Sequence, residues 1–257
     1  MHRLGLKLWS TNLGHVAPAL ALHRRGVFDY LELYVVPGSA GECLDDWRRA
    51  ALPAVLHAPH SLHGFNLSRT DCEEANRRQL AEVESFRAAL GVAQVIFHPG
   101  VDGVPEETVR QVGVLRGEFP RVFAEALLEN KPRVGLQGER CIGSSPDEMA
   151  QMLGETGLAF CLDIGHAICY AAWAGADFNS VWADFLKLSP RMFHLGDGDM
   201  ASHTDAHLSL GAGNFDLVRI IRRIPAGAVV CLETEKHAPS NLDDFERDVV
   251  YFRKCAA

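Results

Sequence analysis

Nine side chains carry oxygen or nitrogen donors: His57, His98, Glu129, Asp163, His166, His194 and Glu233 in or close to the ends of short apolar runs, and Asp205 and His207 in a loop beyond the seventh of them. Donors of this kind suit zinc, manganese or iron. Taken singly, a histidine at a strand end is more often a hydrogen-bonded structural residue, and a glutamate a solvated one. Taken together, the residues read differently. Acids and imidazoles at successive strand ends converge on one small volume, where Glu129, Asp163, Asp205 and Glu233 would repel one another and lose their hydration. Bound cations remove that cost. Zinc takes about four or five ligands, so this many donors implies two or three ions. Multinuclear sites of such composition activate water and clamp phosphoryl oxygens, which favours hydrolysis of a phosphate ester.

The elements that must position these groups follow from the hydrophobic pattern. Short apolar runs occupy Leu4–Trp9, Tyr30–Val35, Ala54–His57, Gln94–His98, Phe123–Glu129, Ala159–Asp163, Arg191–Leu195 and Ala228–Glu233. Their spacing is about that of a βα unit. The stretches between them predict helices. Thr70–Glu73 has the form of a capping box, and Leu80, Val83, Phe86 and Leu90 then recur at helical spacing until Gly91. Ser145-Pro146 opens another helix, and Asn241 is a candidate cap for a last helix carrying Phe245, Val249 and Phe252. Eight strands alternating with helices predict an α/β fold, a (β/α)8 TIM barrel, whose working residues lie at the C-terminal ends of the strands. A doubly wound open sheet would call for a glycine-rich first turn, which Trp9–Gly14 is not.

Composition narrows the function classes. The chain of 257 residues, 47% of them hydrophobic, is expected to be one domain over residues 1–257 and a monomer. No run is long and apolar enough for a membrane helix, and no secretory leader is evident at the start. Seven cysteines without a CxxC pair predict free thiols and a reducing, cytoplasmic setting. With 25 Lys and Arg against 33 Asp and Glu, the formal charge of −8 argues against a broad electrostatic grip on nucleic acid, unless metal ions bind the acids and invert the local sign.

The successive motifs His57-Ala-Pro-His60, Phe97-His-Pro-Gly100, Leu128-Glu-Asn130, Cys161-Leu-Asp-Ile-Gly-His-Ala167, Phe193-His-Leu-Gly-Asp197, Asp205–Gly213 and Leu232-Glu-Thr234 resemble, in order, those of endonuclease IV, the AP endonuclease family 2. This family falls within the xylose isomerase-like TIM barrel superfamily. The resemblance implies a barrel with three zinc ions and cleavage 5′ of an abasic site in DNA by a metal-bridged hydroxide. It places His57, His98 and Glu129 on the first ion. Glu129, as a bridge, with Asp163, His194 and Glu233 would hold the second. His166, Asp205 and His207 would hold the third. Glu129 and Glu233 would orient the attacking water.

Some residues depart from that pattern. The family commonly has a tyrosine where His60 stands and an arginine where Ala206 stands. The stretch Pro37–Asp46, read as a loop, is acidic, and the opening Gly5–Asn12 looks more like the isomerase branch. His60, Lys131 and Arg133 are candidate substrate contacts, and His15, His63 and His203 stand near the expected mouth. His2, His23 and His237 read as surface or packing residues, and Trp9 and Trp182 as core. The preferred expectation is an AP endonuclease-like phosphodiester hydrolase acting on abasic DNA or a smaller phosphate ester. The alternative is a metal-dependent sugar or sugar phosphate isomerase or epimerase, which would use one ion on Glu129, Asp163, His194 and Glu233. A metal-binding barrel without activity is a third reading, disfavoured because costly buried carboxylates are retained.

Overall fold

A computed structural model describes residues 2–257. Eight strands, β1 (Arg3–Trp9), β2 (Tyr30–Tyr34), β3 (Ala54–His57), β4 (Val95–Phe97), β5 (Leu127–Glu129), β6 (Ala159–Asp163), β7 (Met192–Leu195) and β8 (Val229–Leu232), pair in parallel and in sequence order. Pairing of β1 with β8, through Arg3 opposite Val229, closes the barrel. The helices are α1 (Val16–Arg24), α2 (Ala40–Ala50), α3 (Glu73–Leu90), α4 (Pro105–Glu118), α5 (Pro146–Thr156), α6 (Ile164–Ala174), α7 (Phe178–Lys187), α8 (Leu217–Arg223) and α9 (Asp243–Ala256). The expected (β/α)8 barrel is thus the observed fold. Among the described residues, no helix is long and apolar enough to cross a membrane, and all seven cysteines are free thiols.

The side-chain period of two along each strand divides the apolar residues into two cores. Residues such as Leu6, Leu31, Leu33, Leu56, Val95, Phe97, Leu128, Leu162, Phe193 and Val230 point outward and pack under the helices. Tyr30, Val55, Ile96, Leu127, Cys161, Met192 and Cys231 point inward and form a separate buried layer across the barrel. Two residues further along the same strands, the inward positions are Glu32, His57, His98, Glu129, Asp163, His194 and Glu233. That single step along the pleat carries the barrel interior from an apolar floor to a polar layer.

Several local expectations shift. Residues 123–126 are not strand, because Phe123 turns to stack on Phe97 with ring centroids 5.0 Å apart. The capping box does not form. Thr70–Cys72 is a 3-10 turn, α3 begins at Glu73, and the Glu73 carboxylate pairs with Arg77 and Arg110 instead. Ser145 caps α5 as expected, its Oγ accepting from the Glu148 amide at 3.1 Å. Gly91 ends α3 in the left-handed region, at φ 65°. Asn241 accepts from the Asp243 amide, but Leu242 holds the cap position of α9. Most of Pro37–Asp46 is not a loop: it is the first turns of α2, whose preceding turn is held by Glu82 accepting from the amides of Gly38 and Ala40 at 2.7 and 2.8 Å. Its Asp45 and Asp46 pair with Arg48 and Arg49 of the same helix.

Ile96→Ala would open a void in the inward apolar floor, where neighbours from six other strands cannot close in. The expected cost is about 2–5 kcal/mol, measured as a lowered urea midpoint at unchanged m-value.

Candidate metal centre

Donor groups meet where the polar layer opens upward. His57, His98 and Glu129 form one cluster, His166, Asp205 and His207 a second, and Glu129, Asp163 and His166 a third grouping. Glu32, His194 and Glu233 form another, and in every case the donor atoms lie within 4.8 Å of one another. Each of the nine donors expected from the sequence falls in one of these groups, but the expected set of Glu129, Asp163, His194 and Glu233 is divided between the Glu129–Asp163–His166 and Glu32–His194–Glu233 groups. Glu129 stands at the centre. Its Oε2 lies 3.1 Å from His57 Nε2, 3.2 Å from His98 Nε2 and 3.3 Å from His194 Nδ1, while Oε1 is 3.3 Å from His166 Nδ1.

The orientation of the imidazoles is fixed by their outer nitrogens. His57 Nδ1 donates to the Ala58 carbonyl at 2.7 Å, which turns Nε2 to the cluster. His166 Nδ1 donates to the Asn130 carbonyl at 2.8 Å, leaving Nε2 directed at Asp205, 3.9 Å away. His194 Nε2 donates to Glu32 at 2.9 Å, leaving Nδ1 toward Glu233 at 2.6 Å, Glu129 at 3.3 Å and Asp163 at 4.0 Å. A ligating histidine is commonly fixed by such a partner on its other nitrogen. Asn130 serves a second purpose, exchanging hydrogen bonds with the backbone of Asp163 at 2.7 and 2.9 Å and so locking β5 to β6. Asp163 Oδ1 caps α6 through the His166 amide at 2.7 Å, which sets the Asp-x-x-His spacing.

Electrostatics show how unusual the layer is. Burial works against ionising Glu129, but His98, His194 and His166 outweigh it and hold the carboxyl well below its usual range. Burial, aided by Asp205, Glu129 and Glu233, pushes Asp163 well above that range. Burial would lower His194, yet the surrounding groups, among them Cys161, Glu233, Glu32 and Glu129, hold it protonated well above the imidazole range. A cation taking Nδ1 would displace that proton. Glu129 Oε1, His194 Nδ1 and His207 Nδ1 are buried without an aligned hydrogen-bond partner among the described residues. Buried atoms of this type are normally satisfied, so the donor set fits divalent ions.

The loop bearing Asp205 and His207 is pinned by one buried carboxylate. Asp197 accepts from the amides of Gly198 at 2.8 Å, Gly211 at 2.8 Å, Gly213 at 3.0 Å and Phe215 at 3.2 Å. A side chain at Gly213 would meet the Gly198 backbone, so glycine is required there for close approach. Asp248 of α9 holds the other flank, accepting from the Leu210 amide at 2.8 Å and Thr234 Oγ1 at 2.6 Å.

Above the clusters lies a cavity of about 560 Å³, lined in part by His57, His98, Glu129, His166, Glu233 and Lys7. Of the candidate substrate contacts, His60 and Lys131 line it, whereas Arg133 does not: its guanidinium pairs with Glu148 at 3.2 Å and lies over the Trp173 ring. Burial and the nearby Lys131 push His60 down to about 2, so its ring is neutral and stacks on His98 and His63. His15 and His63 also line the cavity, and His203 does not. Trp182 is core, but Trp9 is 44% exposed at the rim, together with Leu62 and Leu136. Trp9 points inward at the top of β1, where no further layer covers it. Burial also pushes the Lys236 amine, at the cavity wall, down to about 8.

Two inward residues escape the sequence reading. Glu32 of β2 is fully buried in the polar layer, and Lys7 of β1, its register partner, ion-pairs with both Glu32 and Glu233. Each is a charged residue inside an apolar run, two positions from Tyr30 and from Gly5 respectively, which is signal enough.

A model of the xylose isomerase-like TIM barrel family matches residues 26–255. The chain is similar to probable endonuclease 4 of Mycobacterium tuberculosis, at 27% identity over 196 residues, covering 73% of this chain and 75% of the relative. Endonuclease IV of Thermus thermophilus superposes with a TM-score of 0.70 at 22% identity, over 98% of both chains. A D-tagatose 3-epimerase-like protein superposes with a TM-score of 0.71 at 15% identity, over 98% of this chain and 96% of that one. Both superpositions show the shared barrel fold.

Asp197→Ala would leave four amides without their acceptor. Calorimetry should show a loss of about 3 kcal/mol or more. The Lys236 amine should gain reactivity as pH rises through about 8, seen by mass spectrometry of trace acetylation. An ordinary lysine amine would do so near about 10.4.

Proposed function

As the chain belongs to the xylose isomerase-like TIM barrel family, we propose that it is a multinuclear metal-dependent phosphodiester hydrolase of the endonuclease 4 type, incising DNA 5′ of abasic sites. The observation that carries this reading is the coexistence of the His57–His98–Glu129 and His166–Asp205–His207 clusters, linked by a Glu129–Asp163–His166 grouping that shares Glu129 with the first and His166 with the second. A one-metal isomerase has no use for either histidine pair. Zinc is the ion the mixed nitrogen and oxygen donors suit best, with manganese or iron also compatible.

On this reading, His57, His98 and Glu129 hold one ion, Glu129, Asp163, His194 and Glu233 a second, and His166, Asp205 and His207 a third. Divalent ions held there would supply Lewis-acid stabilisation of phosphoryl charge at neutral pH. The remaining work falls to the chain. Glu129 and Glu233 flank His194 and present carboxylate oxygens that accept from, and so orient, an attacking water. Lys131 and Lys236 on the cavity wall offset phosphate charge that the overall charge of −8 would otherwise repel. Neutral His60 offers a ring face to a base or sugar, and exposed Trp9, Leu62 and Leu136 at the rim offer apolar surface to an unstacked strand. Residues 1–257 act here as one catalytic domain, working as a monomer.

A second reading is supported by one observation. Glu129 and Glu233 line a half-open cavity of about 560 Å³, with Asp163 and His194 buried behind them, and that volume would hold a monosaccharide or its phosphate. At that cavity the two lining glutamates, Glu129 and Glu233, would shuttle a proton beside a carbonyl, as in a sugar isomerase or epimerase.

A duplex with one synthetic abasic site, incubated with zinc-loaded protein, should be nicked 5′ of the site. Glu129→Ala should slow the nick by about 10²–10⁴-fold. Absence of nicking by protein holding three ions would reject the abasic substrate. A single bound ion, with deuterium exchanged from solvent into a ketose, would establish the isomerase instead.

A further inference from the structure

Lys7 occupies a place that a cation-binding cluster should keep open. Its ammonium contacts Oε1 of Glu233, the same oxygen that lies 2.6 Å from His194 Nδ1. It also stands 3.1 Å from Glu32 Oε1, while Glu32 Oε2 accepts from His194 Nε2 at 2.9 Å. Lys7, Glu32, His194 and Glu233 therefore close a ring of charge. Lysine enters it from β1 and glutamate from β2, at paired positions of the barrel wall. The ring has two opposite effects on an ion held by Glu129, Asp163, His194 and Glu233. Glu32 favours it, because it holds the imidazole with Nδ1 turned inward. Lys7 opposes it, because a fixed positive charge already sits on the Glu233 oxygen that would be a ligand, and two cations on one oxygen repel strongly in a low-dielectric interior. Among the described residues no lysine or arginine pairs with Glu129 or Asp205 of the other two clusters, although Lys131 lies near His98 and His166.

We propose that Lys7 is a resident cation of the second cluster, so that this cluster binds its divalent ion last and most weakly, and only as Lys7 leaves Glu233. Glu32 is the positioning residue that keeps His194 ready for that exchange. The inference rests on the reading that the three clusters hold metal, and it sets the order in which they fill.

Zinc content at equilibrium, measured by mass spectrometry across a series of chelator-buffered free zinc concentrations, tests it without any assay of activity. The wild-type chain should take up two equivalents together and a third at free zinc at least about tenfold higher. Lys7→Met should bring the third equivalent down to join the other two. Lys7→Gln, which keeps donors for both carboxylates but not the charge, should do the same and carries the test should the methionine variant not fold. Lys7→Arg should behave as wild type. Glu32→Gln should weaken the third equivalent by about 10- to 100-fold and leave the first two unchanged. Three equivalents taken up together by the wild type, or neutral variants superimposable on it, would overturn the inference while leaving the proposed function standing. Uptake of one equivalent or none would overturn both.

Discussion

Four carboxylates, Glu32, Glu129, Asp163 and Glu233, are buried in one layer of a closed barrel. A protein interior does not tolerate that much like charge without compensation. Much of the architecture of the upper barrel can be understood as supplying it. Imidazoles surround Glu129 on every side, Lys7 lies against two of the acids, and Asp163 is driven toward its neutral form. What the side chains leave uncompensated is charge that divalent ions would neutralise. The polar layer and the ions it would hold are thus a single electrostatic unit.

The geometry of that unit depends on groups that would never touch an ion. The carbonyls of Ala58 and Asn130 and the carboxylate of Glu32 choose which nitrogen each histidine turns inward. The Asn130 side chain ties neighbouring strand ends together, and Asp248 braces Thr234 beside Glu233. These supports are mostly backbone atoms or polar side chains at element boundaries, rigid because the barrel is rigid. Apart from His166 in α6 and Asp205 and His207 in the loop after β7, the donors stand at strand ends whose positions are fixed by closure of the eight-stranded barrel.

This division explains what can be seen in the sequence. All eight strands are legible, because each apolar run is bounded by turn residues, and most of the donors are legible because they terminate those runs, with His166, Asp205 and His207 following in the connections beyond. Lys7 and Glu32 are easily passed over because they lie inside runs that read as uniformly apolar. Following the period of two from Tyr30 to Glu32, and from Gly5 to Lys7, places both inside the barrel. Arg133 cannot be resolved in the same way. Its position depends on Glu148 and Trp173, contacts fifteen and forty residues away that no local pattern encodes. Trp9 shows a different limit, since an inward residue is buried or exposed according to its height in the barrel. The bonding of Asp197 depends on how a loop folds back, which periodicity does not describe.

That loop has a consequence for how such barrels diversify. Asp197 clasps the segment from both sides, binding Gly198 where it begins and Gly211, Gly213 and Phe215 where it ends. The residues between, Asp205 and His207 among them, form an insert tied at both ends to one side chain, with Leu208 also exchanging 2.9 Å backbone hydrogen bonds with Asp197. Changes of length or sequence between those ties would leave every strand in place. On this geometry, the cluster of His166, Asp205 and His207 is the part of the site that could be gained or lost without retuning the barrel wall.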